Sequence, residues 1–344
     1  MMERTRTSAS VNRQVVLASR PEGIPQAGHF RIVETRVPEP GPGQVVVRNL
    51  WLSVEPAMRG WVNAAGNYAE PVAVGAVMRA FAAGRVVASR DPAWPAGTPI
   101  TGLFGWQDYA LVEAAAIQRR IDEVDLPLST ALGVLGINGV TAHYGLLQLG
   151  RPRAGETVVV STAAGSVGSC VGQIARLNGC RTVGIAGGAA KRELCLQRFG
   201  FDAAVDYKAP DFIERLAEAC VGGVDVYYDN TAGPISDAVM PHLNVGARIV
   251  ICGTASVSSW DPLPQGPRVE RHLLVKRARM QGFVIFDVPE YHATARADLA
   301  QWLREGKLHY AEDVLDGIEQ APDAIAGLYR GENLGKRLIR LCDE

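Results

Sequence analysis

The sequence predicts an α/β protein of two domains, a small β-barrel followed by a doubly wound parallel sheet. Three observations carry that reading. The chain has 344 residues, more than one core ordinarily holds, and about 150 residues per domain gives two. Its first third is built of short apolar runs broken by Gly and Pro. From Glu156 onward, strand-like and helix-like segments alternate.

The elements follow in order. From Gln14 to about Asp125 come "QVVLAS", "HFRIVETRV" with "PEPGPGQVVVRNL", and "AAGRVVASRDPAWPAGTPITGLFGWQDYALVE". Strands at that spacing with such punctuation read as a barrel or sandwich. Leu132, Leu135 and the stretch Ala142 to Leu149 then predict helices. "ETVVVST" precedes a helix from Ser166 to Asn178, "RTVGIA" one from Lys191 to Phe199, and "AAVDY" the helix "DFIERLAEAC". "VDVYYDN" precedes "PISDAVMPHL", and "ARIVICG" ends the run. Such a βαβα series requires a parallel sheet with helices on both faces. Past Ser256 a loop, "VSSWDPLPQGPRVERHLLVKRA", leads to a strand "RMQGFVIFDV" and a helix "ATARADLAQWLREG". The tail ends in a helix, a loop and a short strand, which is placed back on the first domain. The expected division is 1–125, completed by 310–344, and 126–309.

Composition narrows the function. Hydrophobic residues at 47% and charged ones at 21% describe a soluble globular protein. Lys and Arg total 35 against 36 Asp and Glu, a net charge of −1, which offers no basic field to nucleic acid. The expected partner is a small molecule. No apolar h-region follows "MMERTRTSASVNRQVV", and no run of about 18 apolar residues occurs. A cytoplasmic protein that does not bind membranes is expected. The six cysteines (170, 180, 195, 220, 252 and 342) are scattered without any C-x-x-C, so neither disulfides nor a Cys-rich zinc site is expected.

The turn "STAAGSVG" places the three dinucleotide-fingerprint positions at Ala163, Gly165 and Gly168. A small first residue still allows the turn, Gly165 lets backbone approach a pyrophosphate, and Gly168 lets helix and strand pack closely. Val167, Cys170, Val171, Ile174 and Leu177 fall on one helix face. The helix N-terminus supplies free N–H groups and partial positive charge for a diphosphate. An NAD site usually carries Asp or Glu about 20 residues past the first glycine position, yet Val158 to Arg192 contains no acid. Lys191 and Arg192 instead open the next helix, where each cation opposes the dipole by a few tenths to about 1 kcal/mol. A 2′-phosphate between them removes the conflict, which makes the cofactor NADP with Lys191 the main contact.

At this point the residues resemble a family. "VVLASRPEGIP", "LSVEPAMRGW", "GLFGWQDYALV", "AAGSVGSCVGQIARLNGCRTVGIAGG", "FDAAVDYK", "YYDNTAG", "RIVICGTAS", "PLPQGP", "QGFVIFD" and "GENLGKRLIRL" look like the zinc-independent medium-chain dehydrogenase/reductases. Within these, the chain is similar to the prostaglandin reductase and NADP-dependent alkenal double-bond reductase branch, from about Val15 onward. The resemblance implies a GroES-like β-barrel, a Rossmann NADP-binding domain, and a homodimer as the usual assembly. It places NADP on Gly165, Ser166, Val167, Gly168, Lys191, Tyr207 and Asn230. It adds Cys252, Gly253, Thr254, Ala255, Ser256, Val257 and Ser258, then Phe283, Val284, Ile285 and Asn333. Tyr207 and Asn230 follow strands at carboxyl ends, where an open sheet binds ligands. Zinc is argued against independently, because up to residue 142 the only histidine is His29 and no cysteine precedes Cys170.

The implied reaction is conjugate reduction of an α,β-unsaturated ketone or aldehyde: hydride goes to the β-carbon, and negative charge develops on the carbonyl oxygen. A removed oxyanion donor commonly costs about 10² to 10³ in rate. Two tyrosines that the family offers for this role are absent. One position is Ala57 in "VEPAMRG", and the other region reads Val257, Ser258, Ser259, Trp260. The candidate donors are Tyr68, Ser258 or Ser259, and the Trp260 indole N–H, or else a cofactor ribose hydroxyl with water. Ala57 also makes room for a bulkier enone, bordered by Trp51, Trp61, Trp106 or Trp260. Two other readings share these features: a quinone reductase of the same superfamily, and an NADPH-binding protein without turnover. If Lys191 holds the 2′-phosphate, Lys191→Ala weakens NADPH binding much more than NADH binding, which a pair of fluorescence titrations measures. An equal loss for both refutes the assignment.

Overall fold

The computed structural model describes residues 11–64, 68–257 and 264–343. It divides into one unit of residues 1–132, 314–332 and 337–344 and a second of 133–313 and 333–336. The first break therefore falls after Leu132 instead of at 125/126. The 3₁₀ turn Leu128–Leu132 is fully buried and packs on strands of the first unit. Residues 333–336, expected with the barrel, group with the second unit.

The first unit opens with β1 (Val11–Leu17) and β2 (Phe30–Arg36), an antiparallel pair. Then come β3 (Gln44–Ser53), the short helix α1 (Met58–Val62), β4 (Ala82–Ser89), β5 (Pro99–Gly102), β6 (Tyr109–Glu113) and β7 (Arg119–Arg120). β3 is the axis of the sheet because three strands pair with it: β4, β6 and a C-terminal strand. All but two of its residues are therefore buried, and its sequence reads as nearly continuous Val and Leu. Trp106 is fully buried and its Nε1 donates to the Ser53 carbonyl at 3.1 Å. It is a core residue.

The second unit begins with α2 (Ile137–Tyr144), β8 (Thr157–Ser161), α3 (Ser166–Leu177), β9 (Arg181–Ala186) and α4 (Ala189–Glu193). It continues with β10 (Ala203–Asp206), α5 (Phe212–Ala219), β11 (Val224–Asp229), α6 (Gly233–Val239) and β12 (Leu243–Ile251). It ends with α7 (Glu270–Lys276), β13 (Arg279–Gly282) and α8 (His292–Arg304). The sheet order is β10-β9-β8-β11-β12-β13, parallel throughout. Every residue of β8 is buried, as a strand covered on both faces requires. The C-terminal elements are β14 (Glu312–Asp316), α9 (Ala321–Arg330) and β15 (Lys336–Arg340). β15 lies antiparallel to β3 with Ile339 opposite Leu52, so the last strand does return to the barrel.

Three local expectations change. The strand expected over "RMQGFVIFDV" stops at Gly282, because its neighbour among the described residues, β12, ends at the paired Ile251; a 3₁₀ turn, Ile285–Asp287, follows. The expected loop after Ser256 contains α7, whose weak amphipathic pattern hides it: Leu273 packs on the core while Leu274 and Val275 are exposed. Leu177, expected on the buried face of α3, is exposed where the helix ends. Among the described residues no helix is long and apolar enough to cross a membrane.

Packing around α3 gives a direct test. A Cβ at Gly172 stands 2.0 Å from Phe201 Cζ. Gly172→Ala improves helix propensity by up to about 1 kcal/mol, but overpacking costs about 1–3 kcal/mol. Urea unfolding is therefore expected to show a net loss of stability in this variant.

Candidate functional site

The strand order reverses between β8 and β11, and an open α/β sheet takes its ligand in the crevice at the carboxyl ends of such a pair. One rim is the turn 162–165. Thr162 holds φ at 54°, and the Gly165 N–H donates to the Thr162 carbonyl at 2.9 Å. Gly165 caps α3 in extended geometry, so the helix starts at Ser166 with no acidic residue in its first turn. A Cβ on Gly168 stands 2.3 Å from the Thr162 carbonyl oxygen, so only glycine lets the helix come this close to the turn. Ala163, in place of the usual first glycine, is fully buried. It fits because β9 offers Gly184 opposite, where a second Cβ would stand 2.8 Å from its own. The cradle and the N–H groups of the 12-residue α3 suit a dinucleotide pyrophosphate.

The second rim segment follows β9. Gly188 takes φ of 88° and caps α4. Its N–H and that of Lys208 both donate to Asp206 Oδ1 at 2.9 Å, so this acid serves the turn. Lys191 stands half-buried in the first turn of α4. Arg192, expected beside it, is turned away: its Nε donates to the Ala204 carbonyl of β10 at 3.0 Å. Tyr207 is 41% exposed, with its ring against Gly187, where a Cβ would meet Cε1 at 2.8 Å and Lys208 Cε at 3.1 Å. Lys208 Nζ lies 5.9 Å from that ring's centroid. The sequence reading missed Lys208; its signal was a cation directly after "AAVDY".

The opposite rim is the exit of β11. The Asn230 N–H donates to Ser161 Oγ at 2.8 Å and its Nδ2 to the Ser161 carbonyl at 2.7 Å, so Asn230 clamps β11 to β8. The segment Cys252 to Val257 runs along this exit. Cys252 and Gly253 donate to the Asp229 carbonyl, Ala255 to that of Asn230, and Ser256 to that of Thr231. Ser256 Oγ donates to the Thr231 and Ala232 carbonyls at 2.7 and 2.8 Å. The Val257 N–H closes on the Thr254 carbonyl at 3.0 Å. Burial pushes the Cys252 thiol up to about 12, so it is no nucleophile at neutral pH.

The other expected residues are more scattered. The Phe283 ring packs against Tyr144 at 5.7 Å, and Val284 begins the following 3₁₀ turn. Ile285 is buried against Val140 and Ala295, so its side chain belongs to the core. Asn333 lies in the loop that groups with the second unit and its Nδ2 donates to the Gly335 carbonyl at 2.8 Å. Tyr68 belongs to the first unit and is 52% exposed. Ser258 and Trp260 lie outside the described residues. Ala57 precedes α1. The turn it occupies is held from α9, where the Tyr329 hydroxyl donates to the Pro56 carbonyl at 3.0 Å and the Arg59 guanidinium sits 4.7 Å from the Tyr329 ring centroid. Trp51 and Trp61 are both buried. Among the described residues no group of three or more His, Cys, Asp or Glu is placed to hold a metal ion.

Comparison with known proteins agrees with this geometry. A family model described as the N-terminal domain of oxidoreductase matches residues 13–119, and one described as zinc-binding dehydrogenase matches residues 166–302. An NADPH-dependent curcumin reductase of Escherichia coli (strain K12) is 44% identical, covering 97% of this chain and 98% of that protein. A 2-alkenal reductase (NADP(+)-dependent) of Nicotiana tabacum is 35% identical, covering 97% and 98%. The crystal structure of CurA in complex with NADPH from Vibrio vulnificus superposes with a TM-score of 0.91 at 43% identity, covering 96% of this chain and 100% of that one.

Proposed function

Because the chain belongs to the medium-chain dehydrogenase/reductase family, we propose that it is an NADPH-dependent reductase of the C=C bond of α,β-unsaturated ketones and aldehydes. The observation that carries this is the crevice between β8 and β11. Its β8 rim has a glycine cradle at a helix N-terminus and is continued past β9 by the turn that carries Lys191. NADPH, when bound, would supply the hydride that adds to the β-carbon, and a proton from solvent would complete the reduction at the α-carbon. The N–H groups at Ser166 to Gly168 hold the pyrophosphate, and Lys191 with Lys208 holds the 2′-phosphate beside the Tyr207 ring. Asn230 and the segment Cys252 to Val257 line the opposite rim.

The carbonyl oxygen gains charge as the β-carbon is reduced and needs a donor. Tyr68, Ser258 and Trp260 are the side chains assigned to that duty, and Ala57 leaves space for a diaryl enone. The enzyme works without zinc, since the residues before Cys170 lack a ligand set. Its place is the cytoplasm, where its reductant is made. It assembles as a homodimer through the outer edge of β13, the last strand of the parallel sheet. Light scattering is expected to give twice the 36.8 kDa of one chain, and a monomer refutes the assembly.

NADPH oxidation against a panel of enones and a panel of quinones tests the activity. Turnover is expected with diaryl enones. Faster turnover of quinones points to a quinone reductase, and tight NADPH binding without oxidation in either panel points to a binding protein. With one good enone, the variant that removes the true donor, Tyr68→Phe or Ser258→Ala, is expected to lose about 10² to 10³ in kcat. Unchanged kcat in both, and in Trp260→Phe, assigns the duty to a ribose hydroxyl and water.

A further inference from the structure

We propose that Asp229 is a positioning residue that fixes both rims of the nucleotide crevice without touching the nucleotide; the inference rests on the NADPH reading above. Asp229 is 1% exposed and ends β11, at the point where the strand order reverses. Its Oδ1 accepts from the N–H groups of Thr231 and Ala232, both at 2.9 Å. It also accepts from Tyr227 Oη at 3.0 Å, Thr231 Oγ1 at 3.2 Å and Ser161 Oγ at 3.3 Å. Its Oδ2 accepts from Ser236 Oγ at 2.8 Å. A carboxylate this deeply buried is tolerated only when its oxygens are satisfied, and here hydroxyls and backbone N–H groups do so.

What these donors belong to gives the network its functional meaning. Ser161 is the last residue of β8 and directly precedes the turn that cradles the pyrophosphate. Ser161 Oγ also accepts from the Asn230 N–H, so one hydroxyl links both rims through Asp229 and Asn230. Thr231 and Ala232 are the residues whose carbonyls anchor Ser256 of the adjoining segment. Each rim carries a non-glycine residue at positive φ, Thr162 at 54° and Ala232 at 56°. Such conformations persist only where the surroundings over-determine them. Asp229 reaches both: it holds the Ala232 N–H directly and, through Ser161, the strand end from which Thr162 turns. Its oxygens are engaged inward, so it has no lone pair committed to a nucleotide.

The test uses the full chain with Asp229→Ala, Asp229→Asn and Ser161→Ala. Kd values for NADPH and NADH come from tryptophan fluorescence, and circular dichroism melting fixes a temperature at which every variant is folded. Asp229→Ala is expected to weaken both nucleotides by the same factor, about tenfold or more, since several hydrogen bonds are lost and none lies at the 2′-phosphate end. Asp229→Asn is expected to stay within about threefold of wild type: its oxygen keeps the Oδ1 donors while its amide donates to Ser236 Oγ. Ser161→Ala is expected to fall between them. A role confined to stability lowers the melting temperature but leaves Kd unchanged at the chosen temperature, and that result overturns the inference. So does a loss restricted to NADPH. Should Asp229→Ala not fold, Ser161→Ala with wild-type Kd is the overturning result. A wild-type protein that binds neither nucleotide refutes the cofactor reading itself and is thereby told apart from failure of the Asp229 inference.

Discussion

The approach of α3 to the turn that precedes it governs the second unit. At Gly168 a methyl group would stand 2.3 Å from the Thr162 carbonyl oxygen, so the helix can seat this closely only with hydrogen at that position. Gly172 repeats the device one turn later against Phe201, and Gly184 on β9 makes room for Ala163. Each helical glycine costs about 1 kcal/mol in propensity relative to alanine. The return is a helix whose first N–H groups meet the carboxyl ends of β8 and β11, where the sheet opens. Nucleotide binding and close packing are thus consequences of the same backbone contact.

Electrostatics follows from that placement. α3 and α4 both begin without acidic residues, so their positive ends are left for an anion. Two cations in α4 would oppose its dipole, and the fold resolves this by dividing them. Arg192 reaches back to the Ala204 carbonyl of the edge strand, while Lys191 is half-buried in the first turn of the helix. Lys208 comes from the neighbouring strand exit to the same glycine pair. The nearby acid, Asp206, is engaged by two backbone N–H groups of the turns themselves. In the proposed site, a 2′-phosphate at this corner would meet side-chain cations from two chain segments, which is the basis for reading the cofactor as NADP instead of NAD.

The parallel sheet, the turn and most of the helices were legible because parallel strands buried on both faces read as apolar runs, and β8 is such a run. Segments at the margins were not. α7 has one residue packed on the core and two exposed, so its pattern carries no helical period. The strand at Arg279 ends where its partner ends, a limit set by β12 and invisible locally. Within the site, the glycine turn itself was legible, whereas Asp229 was not. A single acid in "YYDN" gains meaning only when Ser161, distant in sequence, is brought to 3.3 Å by the parallel pairing of β8 and β11. Arg192 was misread for the same reason: its partner is a backbone carbonyl on another strand.

The alanine at position 57, where the family resemblance implies a tyrosine, bears on how the proposed reaction is divided between rate and specificity. A phenol donor to a developing oxyanion is worth about 3 kcal/mol in the transition state. Removing it opens the space of one ring. Burying about 100 Å² of a substrate's aryl group there, at about 25 cal/mol per Å², returns about 2.5 kcal/mol. The two quantities are similar in size but act on different steps. Aryl contact is made equally before and during hydride transfer, so it lowers KM and leaves kcat alone. Tyr329 does not restore the lost donor, since its hydroxyl is committed to the Pro56 carbonyl and holds the turn instead. Unless a second hydroxyl meets the oxygen, an Ala57 enzyme gains preference for bulky enones at a slower maximal rate. Small alkenals, which cannot fill the space, lose on both counts.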